Sequence, residues 1–233
     1  MRGQLISLKT IRVEKGAIMM NTLQNKKTND FNEIVNGRRS IKQYDPDVKI
    51  SREEMTEILE QASTAPSSIN MQPWRFVVID SAEGKEKLAP LASFNLEKVM
   101  SASAVIAVFG DLKNIEYAEE IYGKAVELGY MPEEVKEFQV GYFKPLYEGM
   151  SNEQMKDIVL LDSGLVSMQL MLVARAFGYD TNPIGGYDKE KIAETFGLDK
   201  ERYVPVMLLT IGKAASEGFQ SYRLPVETTT TWS

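Results

Sequence analysis

Between Ile158 and Ala176 the chain carries apolar residues on nearly every side of a helix, and that segment constrains the fold more than any other. Ser151 with Gln154 forms a capping box at its start, and Gly178 is a C-cap candidate just past Phe177. A helix of this kind is either the middle of a core or part of a subunit interface. Left on the surface of a monomer it would be an aggregation hazard. The chain must therefore supply a large apolar partner surface, from a sheet, from a second copy, or from both.

Three runs of strand length offer that surface. Trp74–Asp80 (WRFVVID) and Tyr203–Ile211 (YVPVMLLTI) are β-rich, and Ala104–Gly110 (AVIAVFG) has so few polar atoms that it suits a strand covered on both faces. Helices separate them. Asp30 with Glu33 opens a short one that Gly37 closes, with Phe31, Ile34 and Val35 on one face. Ser51 with Glu54 opens another, in which Met55, Ile58, Leu59 and Ala62 recur at helical spacing until Pro66. Glu83–Ala92 is predicted helical, as are the amphipathic stretches Asn114–Leu128 and Pro132–Tyr147, whose Tyr and Phe residues suit a flap. Tyr187-Asp188 leads into a short helix ending at Gly197, and Arg38–Pro46 reads as an extended loop. Strands separated by helices indicate an α+β or α/β three-layer sandwich.

There is no internal repeat and no linker, so one domain is expected over residues 28–226. Residues 1–27 are read as a poorly ordered N-terminal extension and 227–233 as a C-terminal tail. The tail from Gly212 onward contains four consecutive threonines and would be ordered only by lying against something. Lys15-Gly16-Ala17 matches what a ribosome-binding sequence would encode, so Met19 or Met20 is the expected natural start and residues 1–18 an over-called one.

Absent residue types prune the chemistry. The 233 residues include no cysteine and no histidine, which excludes disulfides, Fe–S clusters, thiolate nucleophiles, Cys-ligated zinc and Ser-His-Asp triads, and removes the commonest transition-metal ligand. Acid–base work would fall to carboxylates, Lys, Tyr or water, or the difficult step would belong to a borrowed cofactor. The net charge of -6 argues against general nucleic-acid binding. No apolar run of membrane-spanning length and no signal peptide stand out, so a cytoplasmic location is expected.

Four loop-like segments carry groups suited to a nucleotide cofactor. In Arg38-Arg39-Ser40-Ile41-Lys42, alternate side chains of an extended chain put Arg38, Ser40 and Lys42 on one face, where a guanidinium and a hydroxyl suit a phosphate. A solvated basic loop has the same composition. Ala65–Trp74 offers small hydroxyls, amides and backbone donors, although Ser, Asn and Pro also simply end helices. Asn182–Asp188 contains Gly185-Gly186, which would let a flat ring approach the backbone, or would just make a tight turn. Ser221–Pro225 adds Arg223, which alone would be an ordinary surface residue.

Taken in order, RRSIKQYDP, APSSINMQPWRF, PIGGYD and IGKAASEGFQSYRLP resemble the nitroreductase family of FMN enzymes over about residues 30–226. The resemblance implies the α+β nitroreductase fold, a three-layer α/β/α sandwich with a mostly antiparallel sheet in an intertwined homodimer. It implies that Arg38 and Arg223 hold the FMN phosphate, with Ser40 nearby and Arg39 in the same segment. Lys42 would approach the N1/O2 side of the ring. Phe94–Lys98 resembles the stretch that contacts the pyrimidine edge, through Asn95 and Lys98. Pro66, Ser67, Ser68 and Asn70 would reach the flavin of the other subunit. The N–H groups of Gly185 and Gly186 would face N5 and O4. Gln72, Ile184 and Ser221 complete the implied flavin-binding set. The sequence departs from its relatives at Ser221, where many carry a basic residue, and at Gly185, where some carry Glu.

The implied activity is hydride transfer from NADH or NADPH through flavin N5 to a small-molecule acceptor, with no metal and no catalytic side chain. Lys42 and Lys98 would stabilise the anionic reduced flavin. With no Rossmann fingerprint, the nicotinamide would visit transiently and donor and acceptor would share one site in ping-pong order. Nitroaromatics, quinones and electron-poor alkenes are the expected acceptors. Enoate reduction, dehalogenation, dehydrogenation, or non-catalytic FMN storage stay open as alternatives. The start-site expectation has its own test: intact mass spectrometry of the endogenous protein should show Met19 or Met20 at or next to the N-terminus, and an intact Met1 would refute it.

Overall fold

The computed structural model describes residues 28–233, and the expectations for residues 1–27, including the start at Met19 or Met20, lie outside the described residues. The three expected strands are present and a fourth joins them: β1 Trp74–Ile79, β2 Ala104–Asp111, β3 Asp180–Ile184 and β4 Tyr203–Gly212. They form one sheet in the order β1-β2-β4-β3 with every pairing antiparallel. The helices are α1 Phe31–Gly37, α2 Arg52–Ala62, α3 Ala82–Leu88, α4 Leu96–Ser101, α5 Ala118–Glu127, α6 Glu133–Glu148, α7 Asn152–Ala176, α8 Ile192–Thr195 and α9 Val226–Thr229.

Strand β2 is buried along its whole length, as its composition predicts. Ala104, Ile106 and Val108 pack with Met55, Ile58 and Ala62 of α2 and with Val166, Leu170 and Ala174 of α7. The alternate residues Val105, Ala107 and Phe109 pack with Leu88, Ala92, Val99, Ile192 and Ala193 on the other side. The period of two along one strand thus requires two helical layers, and the fold is the expected α+β three-layer sandwich.

Helix α7 has the predicted capping box, with Gln154 N–H donating to Ser151 Oγ and Ser151 N–H donating to Gln154 Oε1. It ends at Gly178, whose φ of 83° is the left-handed conformation a C-cap needs. Its two possible fates both occur. Val159, Val166, Leu170 and Ala174 are fully buried, while Leu161, Leu165 and Met168 are 68%, 43% and 40% exposed. At 25 residues it is also, by length and hydropathy, long and apolar enough to cross a membrane, which corrects the expectation that no such run exists. Here its buried face packs on the sheet.

Two other expectations need correction. The helix predicted over Glu83–Ala92 ends at Leu88, and Ala89–Asn95 forms tight turns with a break at Ala92 before α4 begins. Pro90 explains the change, because it removes a backbone donor and narrows the preceding residue's choices. The loop expected over Asn182–Asp188 is strand β3 in its first half. Pro183 sits there because β3 is an edge strand. Helices α5 and α6 cover the start of α7 with a cluster of their own, and Tyr122 and Tyr147 are buried in it while Phe138 and Tyr142 stay exposed.

Replacing Leu170 with Ala should cost about 3 kcal/mol of stability, because a fully buried side chain between α7 and the sheet is lost. Denaturant unfolding measures it, and a loss below about 1 kcal/mol would mean this layer contact is not a core contact.

Candidate functional site

The site begins at the outer side of β3. Ser40 pairs in parallel with Thr181, Ile41 N–H donates to the Thr181 carbonyl at 3.1 Å, and Asn182 Nδ2 donates to the Ile41 carbonyl at 2.8 Å. Residues 38–44 are therefore extended, as predicted, and held along the edge strand. Ile41 and Tyr44 turn inward onto Ala102, which leaves Ser40, Lys42 and Gln43 exposed. The Tyr44 hydroxyl lies 2.8 Å from Thr210 Oγ1, and burial pushes its pKa well above the usual phenol value.

The tail lies against the same segment. Tyr44 pairs with Ala214, Asp45 N–H donates to the Lys213 carbonyl, and Ala215 N–H donates to the Gln43 carbonyl. At Gly218 the approach is so close that a Cβ would fall 2.3 Å from Arg39 Cβ. The next residue, Phe219, places its ring 4.9 Å from Lys42 Nζ, a cation–π contact. The ordering partner that the tail needed is thus the 39–45 segment.

A second wall comes from residues 91–98. Asn95 Nδ2 donates to the Gly186 carbonyl at 2.9 Å, and Lys98 Nζ donates to Asn95 Oδ1 at 2.6 Å, which fixes the amide's orientation. Gln43 Nε2 donates to Glu97 Oε1 at 2.5 Å, and Asp188 N–H donates to the Leu91 carbonyl at 2.8 Å. Three of the predicted groups, 38–43, 94–98 and 184–188, therefore border one basin. Ile184 is buried beneath it. Tyr187 beside it is held in its neutral form by burial, which raises its pKa.

The glycines of that basin are not demanded by the protein's own packing. A Cβ at Gly185 would meet nothing within 4 Å, and one at Gly186 only Asn95 Nδ2 at 3.9 Å. Neither has the left-handed φ that would require glycine. What they provide is bare backbone, on a rim that carries Lys42 and Lys98. That is a surface a flat, electron-rich group fits.

The arginines divide. Among the described residues, the Arg38 guanidinium has neither a hydrogen-bond nor an ion-pair partner. Arg39 is committed to the Asn36 and Arg38 carbonyls at 2.6 and 2.9 Å. It lines a separate cavity of about 520 Å³ with Arg175, Asp180 and tail residues 214–218. Arg223 donates to Ser221 Oγ at 2.6 Å and to the Tyr222 carbonyl, in an exposed part of the tail.

The remaining segment, Pro66–Gln72, is not in this basin. It enters β1, and β1 and β3 are opposite edges of the sheet, three strand spacings or about 14 Å apart. Pro66 and Asn70 are exposed there, and Ser67, Ser68 and Gln72 are half-buried. Its support comes from residues that sequence reading passed over: Arg75, Tyr122, Tyr147 and Asp162. Phe219 was likewise overlooked, and only its place in the tail motif gave a signal.

The "Nitroreductase family" profile matches residues 35–213. YdgI of Bacillus subtilis (strain 168), which carries the provisional name of an NAD(P)H nitroreductase, is 70% identical over 88% of this chain and 99% of its own. The CLA biosynthesis enone reductase of Lactiplantibacillus plantarum is 40% identical over 91% of this chain and 98% of its own. Among solved structures, a provisionally assigned nitroreductase from Exiguobacterium sibiricum in complex with FMN superposes with a TM-score of 0.87 at 63% identity. It covers 88% of this chain and 98% of that one.

Gly218→Ala should lift the tail, since the clashing atom is a β-carbon that cannot swing away. Hydrogen exchange at the Ala215 amide should accelerate at least tenfold, roughly 1.4 kcal/mol of lost protection. Unchanged exchange would show that the tail does not depend on this contact.

Proposed function

We propose, from the premise that this chain belongs to the nitroreductase family, that it is an FMN-dependent NAD(P)H oxidoreductase that reduces electron-poor small molecules. The observation that carries this reading is the bare backbone of Gly185-Gly186, with Asn95 bonded to the Gly186 carbonyl and Lys98 to Asn95, room that the protein itself leaves unused. Bound FMN supplies the hydride relay between NADH or NADPH and the acceptor.

The chain's own residues bind and orient. Arg38, without a protein partner among the described residues, takes the phosphate, with Ser40 beside it and Arg223 reaching it from the tail. Lys42 and Lys98 place positive charge where the reduced ring becomes anionic. The N–H groups of Gly185 and Gly186 would hold the N5 and O4 edge of the ring. Asn95, locked by Lys98 and the Gly186 carbonyl, presents to the pyrimidine side. Arg39, which is tied to carbonyls, shapes the segment.

Pro66, Ser67, Ser68, Asn70 and Gln72 serve the flavin of a second subunit, because they lie at the far edge of their own sheet. The exposed Leu161, Leu165 and Met168 of α7, and the exposed Tyr222, Leu224 and Trp232 of the tail, are apolar surface that a homodimer would cover. Donor and acceptor then share one open face, which gives ping-pong kinetics. The reading places the enzyme in the cytoplasm.

Nitroaromatics and quinones are the leading acceptors. An α,β-unsaturated ketone is the second reading, favoured by the 40% identity to a chain named as an enone reductase. Purified protein should be yellow, bleach anaerobically with NADH or NADPH, and recover colour with a nitroaromatic, a quinone or an enone. A yellow protein that does not bleach would favour FMN storage over turnover. Arg38→Ala should weaken FMN binding at least tenfold with an unchanged far-UV spectrum, from loss of one charge-assisted pair. Sedimentation should show a dimer, and a monomer retaining FMN would break the shared-site assignment.

A further inference from the structure

The loop that enters β1 is held in a conformation its own residues disfavour. Ile69, Asn70 and Gln72 have φ of 44°, 59° and 46°. Left-handed backbone is unfavourable for a β-branched residue and persists only where its surroundings impose it. Within the loop, Asn70 N–H donates to the Ser67 carbonyl, Met71 N–H to the Ser68 carbonyl and Gln72 N–H to Ser67 Oγ, each at 3.0 Å, and Gln72 Nε2 makes longer bonds to the Asn70 carbonyl and Oδ1 at 3.2 and 3.3 Å.

The imposing contacts come from four separate elements. From α5, the Tyr122 hydroxyl donates to the Ile69 carbonyl at 2.7 Å. From α6, the Tyr147 hydroxyl lies 2.6 Å from Ser68 Oγ. From α7, Asp162 Oδ2 accepts the Ser68 N–H at 3.0 Å. From the sheet, Arg75 donates to the Gln72 carbonyl at 3.0 Å while paired to the fully buried Asp111 at 3.1 Å. Met71 anchors the loop by burying its side chain among Tyr122, Tyr147 and Met155. Asp162 is only 4% exposed, and burial raises its pKa, so the fold keeps a carboxylate in an unfavourable place. A turn needed only for connection would use glycine at such φ values and would need no buried carboxylate.

We infer that Tyr147 is a positioning residue, which with Tyr122 and Asp162 fixes the Ser68 hydroxyl and the strained backbone of the loop, and so sets the course of 67–70 and the exposed Asn70 for a ligand held by another subunit. The inference rests on the proposed flavin role of that loop. It makes the α5–α6 flap part of the binding machinery, since the flap carries two of the three clamps and its outer face carries the exposed Phe138 and Tyr142.

The test is a double-mutant cycle on FMN affinity in the full-length protein, read by flavin fluorescence. Tyr147→Phe and Ser68→Ala should each weaken FMN binding about fivefold, and the double variant should be no weaker than either single one. A structural role alone would lower the melting temperature and leave FMN affinity unmoved. Should Tyr147→Phe fail to fold, Tyr122→Phe, which frees the Ile69 carbonyl, should show the same loss of affinity. Ser68→Ala weakening FMN while both tyrosine variants bind normally would overturn the inference and keep the flavin role. A wild-type protein that takes up no FMN would instead remove the underlying reading.

Discussion

Everything in this fold answers to the two-sided burial of Ala104–Asp111. A strand with no polar side chain from Ala104 to Gly110 cannot leave either face to water, so α2 and α7 must cover one face and α3, α4 and α8 the other. Its two neighbours, β1 and β4, both run antiparallel to it, which leaves β1 and β3 as the edges. The edges then inherit the exposed backbone, and that is where the polar segments lie. The candidate site is a consequence of where the hydrophobic layers stop.

Each edge is finished differently. At β3 a second extended segment, 38–45, is laid alongside and then crossed by the tail, so three stretches far apart in sequence share one rim. At β1 the entering loop is clamped by side chains from three helices and by an ion pair. The first arrangement leaves open backbone at Gly185-Gly186, and the second spends buried polar groups to hold backbone in a strained form. Both are costs that a fold alone would not need to carry.

Much of this was legible in the residues. The capping box at Ser151, the N-cap half of the one expected at Ser51 (Glu54 turns to the Tyr179 hydroxyl instead) and the left-handed Gly178 follow from local rules, and AVIAVFG announces a buried strand. The extended course of Arg38–Pro46 was also readable, from its polarity and its terminal proline. Strand β3 was not, because Asp180, Thr181 and Asn182 look like loop residues. They are buried only because Arg175 pairs with Asp180 at 2.6 Å and the 40–41 backbone meets Thr181 and Asn182. Those are tertiary contacts with no local signature. The left-handed Ile69 was equally invisible, since no propensity places isoleucine at φ of 44°. Tyr122 and Tyr147 looked like flap aromatics; their apolar bodies fit an amphipathic helix, and only the fold shows where the hydroxyls go.

Helix α7 ties the two edges together. Asp162 on it holds the β1 loop, and Arg175, thirteen residues on and therefore about 20 Å further along the axis, holds the β3 edge. Along the same stretch, from Leu161 on, its outward face exposes Leu161, Leu165 and Met168. A two-fold contact along this face would run the helix against its own reverse, bringing the Asp162 end of one copy towards the Arg175 end of the other. In the dimer we propose, such an operation would bring the clamped loop of one protomer towards the glycine basin of its partner. It would also cover the apolar stripe that the sequence could not hide within one chain. On this account the apolar outer face of α7 and the strain in the β1 loop have one origin: each is half of a site that is complete only in the dimer we propose.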